Sequence, residues 1–364
     1  MTFTKEEIKT RLEKYGTVYF PNDIIDKPED LLGLDKNKEM LEDFFKALKN
    51  YKKYAKKLRE LRMTPSISVL LYGPPGTGKT SLTRALAKKY KIPMCVVEAD
   101  RLVSPLLGDT LKNMRNVVEL SGEIAKENGL FLLFFDELDA IASERSSVNE
   151  VGEIKRGVIS FLQILDRIDY EGIPLAIFGA TNHQSQLDSA VWRRFTFHAY
   201  FGFPDFIIRK EILIKYLERL EQTQIEVDNT IYTQLEDELK LLKKEYQSIK
   251  KKSITSVNRF EFEDIFADKN KGKTIGILTS TRGYTGADLQ RGMRVSLLKG
   301  IQKGLLKYED LLDSLKFVGG TRIHVKQQQL LSGNEEHKEI YYSKSNNKNT
   351  QDINKSNKKK PLEI

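Results

Sequence analysis

The chain has 364 residues, of which 40% are hydrophobic and 30% charged, enough apolar material for two packed units and too much for a disordered polymer. Its longest apolar run, Leu130 to Phe135, is only strand-length, and Met1 is followed by Thr-Phe-Thr-Lys-Glu-Glu rather than by a basic-then-apolar leader, so neither membrane insertion nor secretion is expected. Formal net charge is +9, the single cysteine is Cys95, and His183, His198, His324 and His337 show no ligand-type spacing, which excludes an internal disulfide and a thiolate metal cluster and points to a reducing, cytoplasmic setting.

Along the chain, Thr4 to Tyr15 places Ile8, Leu12 and Tyr15 on one side of a short helix, and the turn-rich stretch Gly16 to Asp30 is expected to be irregular. Residues 1–27 are therefore expected to be an N-terminal helix and linker. From Asp35 to about Arg62, Leu41, Phe44, Leu48, Tyr51, Ala55 and Leu58 step by three and four, which is helical spacing. The opposite face carries Lys46, Lys49, Lys52, Lys53, Lys56, Lys57 and Arg59, a solvated face or an anionic docking stripe. Four apolar bursts follow, Ile67 to Tyr72, Met94 to Glu98, Leu130 to Phe135 and Leu175 to Gly179. Their spacing leaves room for helical crossovers, the pattern of a parallel sheet covered on both faces. After Pro204 the pattern turns wholly helical: Ile207 to Leu220 is one helix, and Tyr232, Leu235, Leu239, Leu242, Tyr246 and Ile249 mark a heptad-like seam on a second, charged one. Beyond Gly319 periodicity is lost and 9 lysines and arginines face 5 acids, so a disordered basic tail is expected over 319–364.

The first burst runs directly into Gly73-Pro74-Pro75-Gly76-Thr77-Gly78-Lys79-Thr80, and a helical pattern opens at Ser81. This is a complete phosphate-binding loop in its strand–helix context. Its glycines let successive N–H groups point at phosphate oxygens, and the following helix sets its positive end against the same charge. Lys79 is placed to reach the β and γ phosphates of ATP and Thr80 to ligate Mg²⁺. The third burst ends in Asp136-Glu137, at the sheet edge where open α/β sheets bind ligands. Asp136 suits the magnesium shell and Glu137 the attacking water, as a general base.

These motifs, with Ala176 to Asn182, Leu187 to Phe195 and Gly283 to Leu289, occur in an order that resembles the AAA ATPases in the strict sense, over roughly Pro28 to Leu312. The absence of a glycine between Arg194 and Phe195 resembles the katanin and spastin branch. The resemblance implies a P-loop NTPase α/β domain with a doubly wound parallel sheet over 28–204, then a small all-helical lid over 205–318. It also implies roles by position. Asn182 would be the polar sensor near the γ-phosphate. Arg193 and Arg194 would be fingers acting on a neighbouring subunit's nucleotide, so that the chain is a homo-oligomer, hexameric in this family. Leu32 and Gly33, in Pro28-Glu29-Asp30-Leu31-Leu32-Gly33-Leu34, resemble the adenine-contacting segment, with leucine replacing its first glycine. Gly286 and Ala287 would close the lid over the nucleotide.

The sequence departs from the family pattern at the pore segment Ser104-Pro105-Leu106-Leu107-Gly108, where Leu106 stands in the aromatic position and offers less contact area for gripping a polypeptide. It also spends about 60 residues, near 222–280, where a short connection is usual, which makes Asp228 to Ser253 a candidate partner-binding or inter-subunit arm. Only about 30 residues precede the adenine segment, short of a typical domain, and no H-E-x-x-H zinc site is present. The expected function is Mg-dependent ATP hydrolysis in a ring that remodels a protein client. A nucleic-acid-directed motor or loader, and a slow nucleotide-dependent scaffold, are the alternatives.

Overall fold

The structure, a computed structural model, describes residues 2–61, 68–102, 109–141, 163–168, 170–252, 257–270 and 272–321. Residues Met1–Thr321 form one compact unit. The pore segment Ser104 to Gly108 and the expected tail from Arg322 onward lie outside the described residues.

Six strands, β1 (Gly16–Tyr19), β2 (Ser68–Tyr72), β3 (Met94–Val97), β4 (Phe131–Phe135), β5 (Leu175–Thr181) and β6 (Phe197–Tyr200), form one sheet in the order β1-β3-β4-β5-β2-β6. Every pairing is parallel except β1 against β3. The central strands are continuously apolar because both of their faces are buried. Phe131, Leu133 and Phe135 of β4 pack beneath α1 (Lys5–Leu12) and α4 (Asp109–Asn128). Leu132 and Phe134, one residue out of phase, pack against α2 (Asp35–Glu60) and α3 (Lys79–Tyr90) on the other side. The sheet is therefore doubly wound, as expected.

Two strands differ from the sequence expectation. β1 lies within the stretch expected to be irregular, and β6 falls outside the four bursts. Both are sheet edges, and β6 has one buried residue among its four. Neither needs a continuous apolar run, because the neighbouring backbone supplies its pairing. The N-terminal segment is thus part of the sheet rather than a linker, while Ile8, Leu12 and Tyr15 are buried as expected. On α2, Leu41, Leu48 and Tyr51 are buried, and Phe45 goes deeper than Phe44. Its lysine stripe is partly neutralised within the helix, by Lys46 with Asp43 at 3.0 Å and Lys57 with Glu60 at 3.5 Å.

The second layer comprises α6 (Phe206–Glu221), α7 (Thr230–Lys252), α8 (Arg259–Lys269), α9 (Gly286–Lys303) and α10 (Tyr308–Val318). It is not all helical: β7 (Glu226–Val227) and β8 (Leu305–Leu306) form a short parallel ladder, made possible where Gly304, in the left-handed region, ends α9 and turns the chain. The heptad-like seam is spent internally. Leu235, Leu239 and Leu242 are buried in the lid core with Phe262 and Phe266 of α8. A partner-binding or inter-subunit arm over this stretch would therefore have the helix's charged face, not its apolar stripe, to offer. Arg209, fully buried, fastens α8 to α6 through a bidentate ion pair with buried Glu263 and also bonds the Pro204 and Leu278 carbonyls. The lid extends past its expected end, since Thr321 donates through both its N–H and its hydroxyl to Asp288.

Candidate functional site

Every motif residue on the sheet lies just beyond the carboxyl end of a strand: Gly73 after β2, Asp136 after β4 and Asn182 after β5. The β2–β5 and β4–β5 registers set these ends side by side. Gly73, Gly76 and Gly78 all have positive φ, so the loop turns through backbone conformations that side chains oppose. Gly73 and Pro74 are buried, Pro75 and Gly76 exposed, and the Thr77 hydroxyl donates to the Pro74 carbonyl at 2.8 Å. Gly78 caps α3 from the left-handed region, so the positive end of that helix, with Lys79, Thr80 and Ser81 in its first turn, faces the loop.

Lys79 is buried, and its ammonium uses all three protons: on the Gly73 carbonyl at 2.7 Å, the Pro74 carbonyl at 2.9 Å and Asn182 Oδ1 at 2.8 Å. Burial pushes its pKa down to about 8, against the opposing pull of Asp136 and Asp139. A buried cation whose own hydrogen bonds go only to neutral oxygens is matched to an incoming anion. The Thr80 hydroxyl donates to Asp136 Oδ2 at 3.0 Å, so the two hard oxygens expected to ligate Mg²⁺ already meet. Among the described residues no group of three or more His, Cys, Asp or Glu is set to hold a metal. A hydroxyl and one carboxylate instead fit Mg²⁺, which keeps waters and takes its remaining ligands from phosphates.

Glu137 is exposed at the strand end, with φ of 51°. For a residue with a side chain this costs about 1–3 kcal/mol and marks a site where geometry outweighs stability. Behind it, the Thr181 hydroxyl donates to Asp139 at 2.7 Å and accepts from the His183 N–H at 3.0 Å. This brace between the β4 and β5 ends escapes sequence reasoning because nothing in the spacing of Asp139 and Thr181 marks them as partners.

The lid reaches the loop. The Ala287 N–H donates to the Gly76 carbonyl at 3.2 Å, and a Cβ on Gly76 would stand 2.8 Å from both Ala287 Cβ and Thr285 Oγ1. Gly76 and Ala287 are small because the loop and the start of α9 converge there, whereas a Cβ on Gly286 would meet only the Gly76 carbonyl oxygen, at 3.8 Å. Thr285 and Asp288 form a capping box that starts α9 at this point, a signal readable in sequence as Thr-x-x-Asp. In the adenine segment, Gly33 has φ of 74° and lies under Ile208 of α6, and Leu32 lines an open cleft of about 380 Å³ with Lys210, Ile214 and Glu218. Leu34, next along, is buried and approaches Gly78. Asp30 pairs with Lys215 at 3.2 Å and Arg219 at 2.6 Å, joining this segment to the lid.

Arg193 and Arg194 end α5 (Ser189–Arg194), both exposed. They are not equivalent: Arg194 pairs with Asp166 of its own chain at 2.7 Å, whereas Arg193 projects without an ion pair among the described residues.

Residues 69–203 match the profile of the ATPase family associated with various cellular activities (AAA). The chain is 35% identical over 151 residues to an uncharacterized AAA family ATPase, y4kL, of Sinorhizobium fredii, covering 42% of this chain and 43% of that one. It is 33% identical over 153 residues to a putative 26S proteasome regulatory subunit homolog of Methanothermobacter thermautotrophicus, with 42% and 40% covered. To a cell division cycle protein 48 homolog of Archaeoglobus fulgidus it is 34% identical over 164 residues, with 44% and 21% covered. The chain thus spans less than half the length of these curated relatives.

Proposed function

From the premise that this chain carries an AAA-family ATPase domain, we propose that it hydrolyses ATP with Mg²⁺ in a cleft shared between copies of itself, and that turnover remodels a protein client in the cytoplasm. The observation that carries the reading is the convergence on one sheet edge of buried Lys79, the Thr80–Asp136 pair, Asn182 and strained Glu137. Lys79 exchanges its loop carbonyls for phosphate oxygens, and Asn182, already bonded to Lys79, stands by the phosphate being released. Mg²⁺, held through Thr80 and Asp136, would supply charge neutralisation on the phosphates. Glu137, exposed beyond that pair, orients and deprotonates the attacking water. Arg193, whose guanidinium projects outward, reaches a neighbour's nucleotide and stabilises charge on the transferred phosphoryl. Rings of six copies follow the family.

Three variants test this. Lys79→Ala should abolish nucleotide binding, and Glu137→Gln should bind ATP yet stop turnover. Arg193→Ala should bind ATP normally in each subunit while turnover falls by about 10³-fold or more, the scale of an arginine finger. Full activity in Arg193→Ala would remove the shared site. Stimulation by DNA or RNA, steeply lost with added salt, would replace the protein client with a nucleic-acid track.

A further inference from the structure

Helix α5 has only six residues, too few to hold its own shape in water, so the aim of Arg193 is set by what grips that helix. Its start is capped by Asp188, whose carboxylate accepts the Ala190 N–H at 2.7 Å, and Val191 and Phe195 are buried in the core on one side of the sheet. The grip on its last turn comes from two strands. The hydroxyl of Ser68, at the start of β2, donates to the Arg194 carbonyl at 3.3 Å. On β6, His198 Nε2 lies 2.9 Å from the Trp192 carbonyl. A carbonyl can only accept, so Nε2 carries the hydrogen.

The same histidine ring stacks on the indole of Trp192, the chain's single tryptophan, at 4.3 Å between centroids and 19° between planes. The far side of the cluster is closed by Tyr72, whose ring meets the indole edge-on at 5.1 Å and Tyr200 at 5.4 Å. Tyr72 is the last residue of β2, immediately before Gly73 of the phosphate loop. Trp192, next to Arg193 in sequence, is thus clamped between the strand that carries its own subunit's phosphate loop and the edge strand β6.

We propose that His198 and Tyr72 are positioning residues for hydrolysis at the neighbouring subunit: through Trp192 they fix the last turn of α5 and so the direction in which Arg193 leaves it. The inference rests on the shared-site reading above. Neither side chain touches the nucleotide of its own subunit in this role. Loss of the clamp therefore lowers the turnover number without weakening nucleotide affinity, and the defect belongs to the subunit that donates the finger rather than the one that binds ATP. His198 supplies two separable contacts, a hydrogen-bond donor and a stacking face, beside the packing of the indole on the core and on Tyr72.

The test mixes full-length subunits in which site and finger are on different chains. Arg193→Ala protein keeps the ATP site and lacks the finger; Lys79→Ala protein lacks the site and keeps the finger. Their mixture should recover ATPase activity that neither has alone. Adding His198→Phe, which keeps a ring and removes the donor, or His198→Ala to the Lys79→Ala donor should cut that recovery on the order of ten- to a hundredfold, as for an ångström-scale misplacement. The same changes placed on the Arg193→Ala partner should leave recovery intact, a contrast that a general loss of folding would not produce. His198→Gln, which can still donate to the carbonyl, should restore part of the activity. Equal recovery with and without the histidine change in the donor overturns the clamp. Failure of the parent mixture to recover any activity overturns the shared site itself, and the clamp with it.

Discussion

Lys79 is the residue whose surroundings make the sharpest prediction. With its pKa lowered to about 8 by burial, the ammonium that phosphate needs is lost from the unliganded loop as pH rises through that value, while bound phosphate restores the proton. Nucleotide affinity should therefore be level below pH about 8, with no proton exchanged, and fall by up to tenfold per pH unit above it, where proton uptake on binding approaches one. Calorimetric titration of an ATP analogue between pH 7 and 9.5, in buffers of different ionisation enthalpy, reads both effects; a flat profile contradicts the assignment. For folding the sign is opposite. A lysine that binds its proton less tightly when folded than when unfolded contributes a penalty below pH 8, which is relieved as pH rises from 8 toward the ordinary lysine value. That the loop lysine matters is legible in the sequence, since Gly73 to Thr80 leaves little else for it to do. That its three protons are spent on Gly73, Pro74 and Asn182 is not, because Asn182 lies over a hundred residues away.

At the scale of elements, α7 shows how one pattern can serve two readings. A stripe at Leu235, Leu239 and Leu242 specifies a helix with one apolar face and is silent about what covers it. The structure covers it with α8 and the rest of the lid core. Leu235→Ala should accordingly destabilise the lid by about 2–5 kcal/mol, as for other buried leucine truncations, seen as a lower denaturant midpoint for loss of helical signal. Removing α7 should expose Phe262 and Phe266 and make the chain aggregate. A deletion that left a soluble, fully active protein would contradict this structural role and the partner-binding arm alike. The edge strands β1 and β6 teach the converse: their short, half-exposed sequences carry little apolar signal, and it is pairing with β3 and β2 that makes them strands.

At the scale of the molecule, the proposed site is divided. The cradle, the carboxylates and the lid close on one another within a chain, through contacts such as Ala287 on Gly76, while Arg193 projects away without a partner among the described residues. An ATPase built this way should show specific activity that rises with protein concentration as subunits associate, then levels off. Measured across a dilution series with Mg-ATP present throughout, activity per chain that stayed constant down to the monomer would refute the division. Under the shared-cleft proposal, one subunit's turnover would depend on the aim of its neighbour's short α5 helix, whose last turn is gripped by residues from β2 and β6.

What the amino-acid sequence marked by itself was the set of candidate residues whose motifs are contiguous: the loop Gly73 to Thr80, the acids following β4, the Asn182 strand end and the paired arginines of α5. These are short-range patterns, each readable within a single strand-and-turn. Tertiary structure alone decided the rest: the Lys79–Asn182 bond, the Asp139–Thr181 brace, the separation of Arg193 from an Asp166-bound Arg194, and the histidine–tryptophan clamp. Each of these depends on which strands lie side by side. That order is set by how two apolar faces of one sheet are buried, and it leaves no mark in the spacing of the residues it brings together.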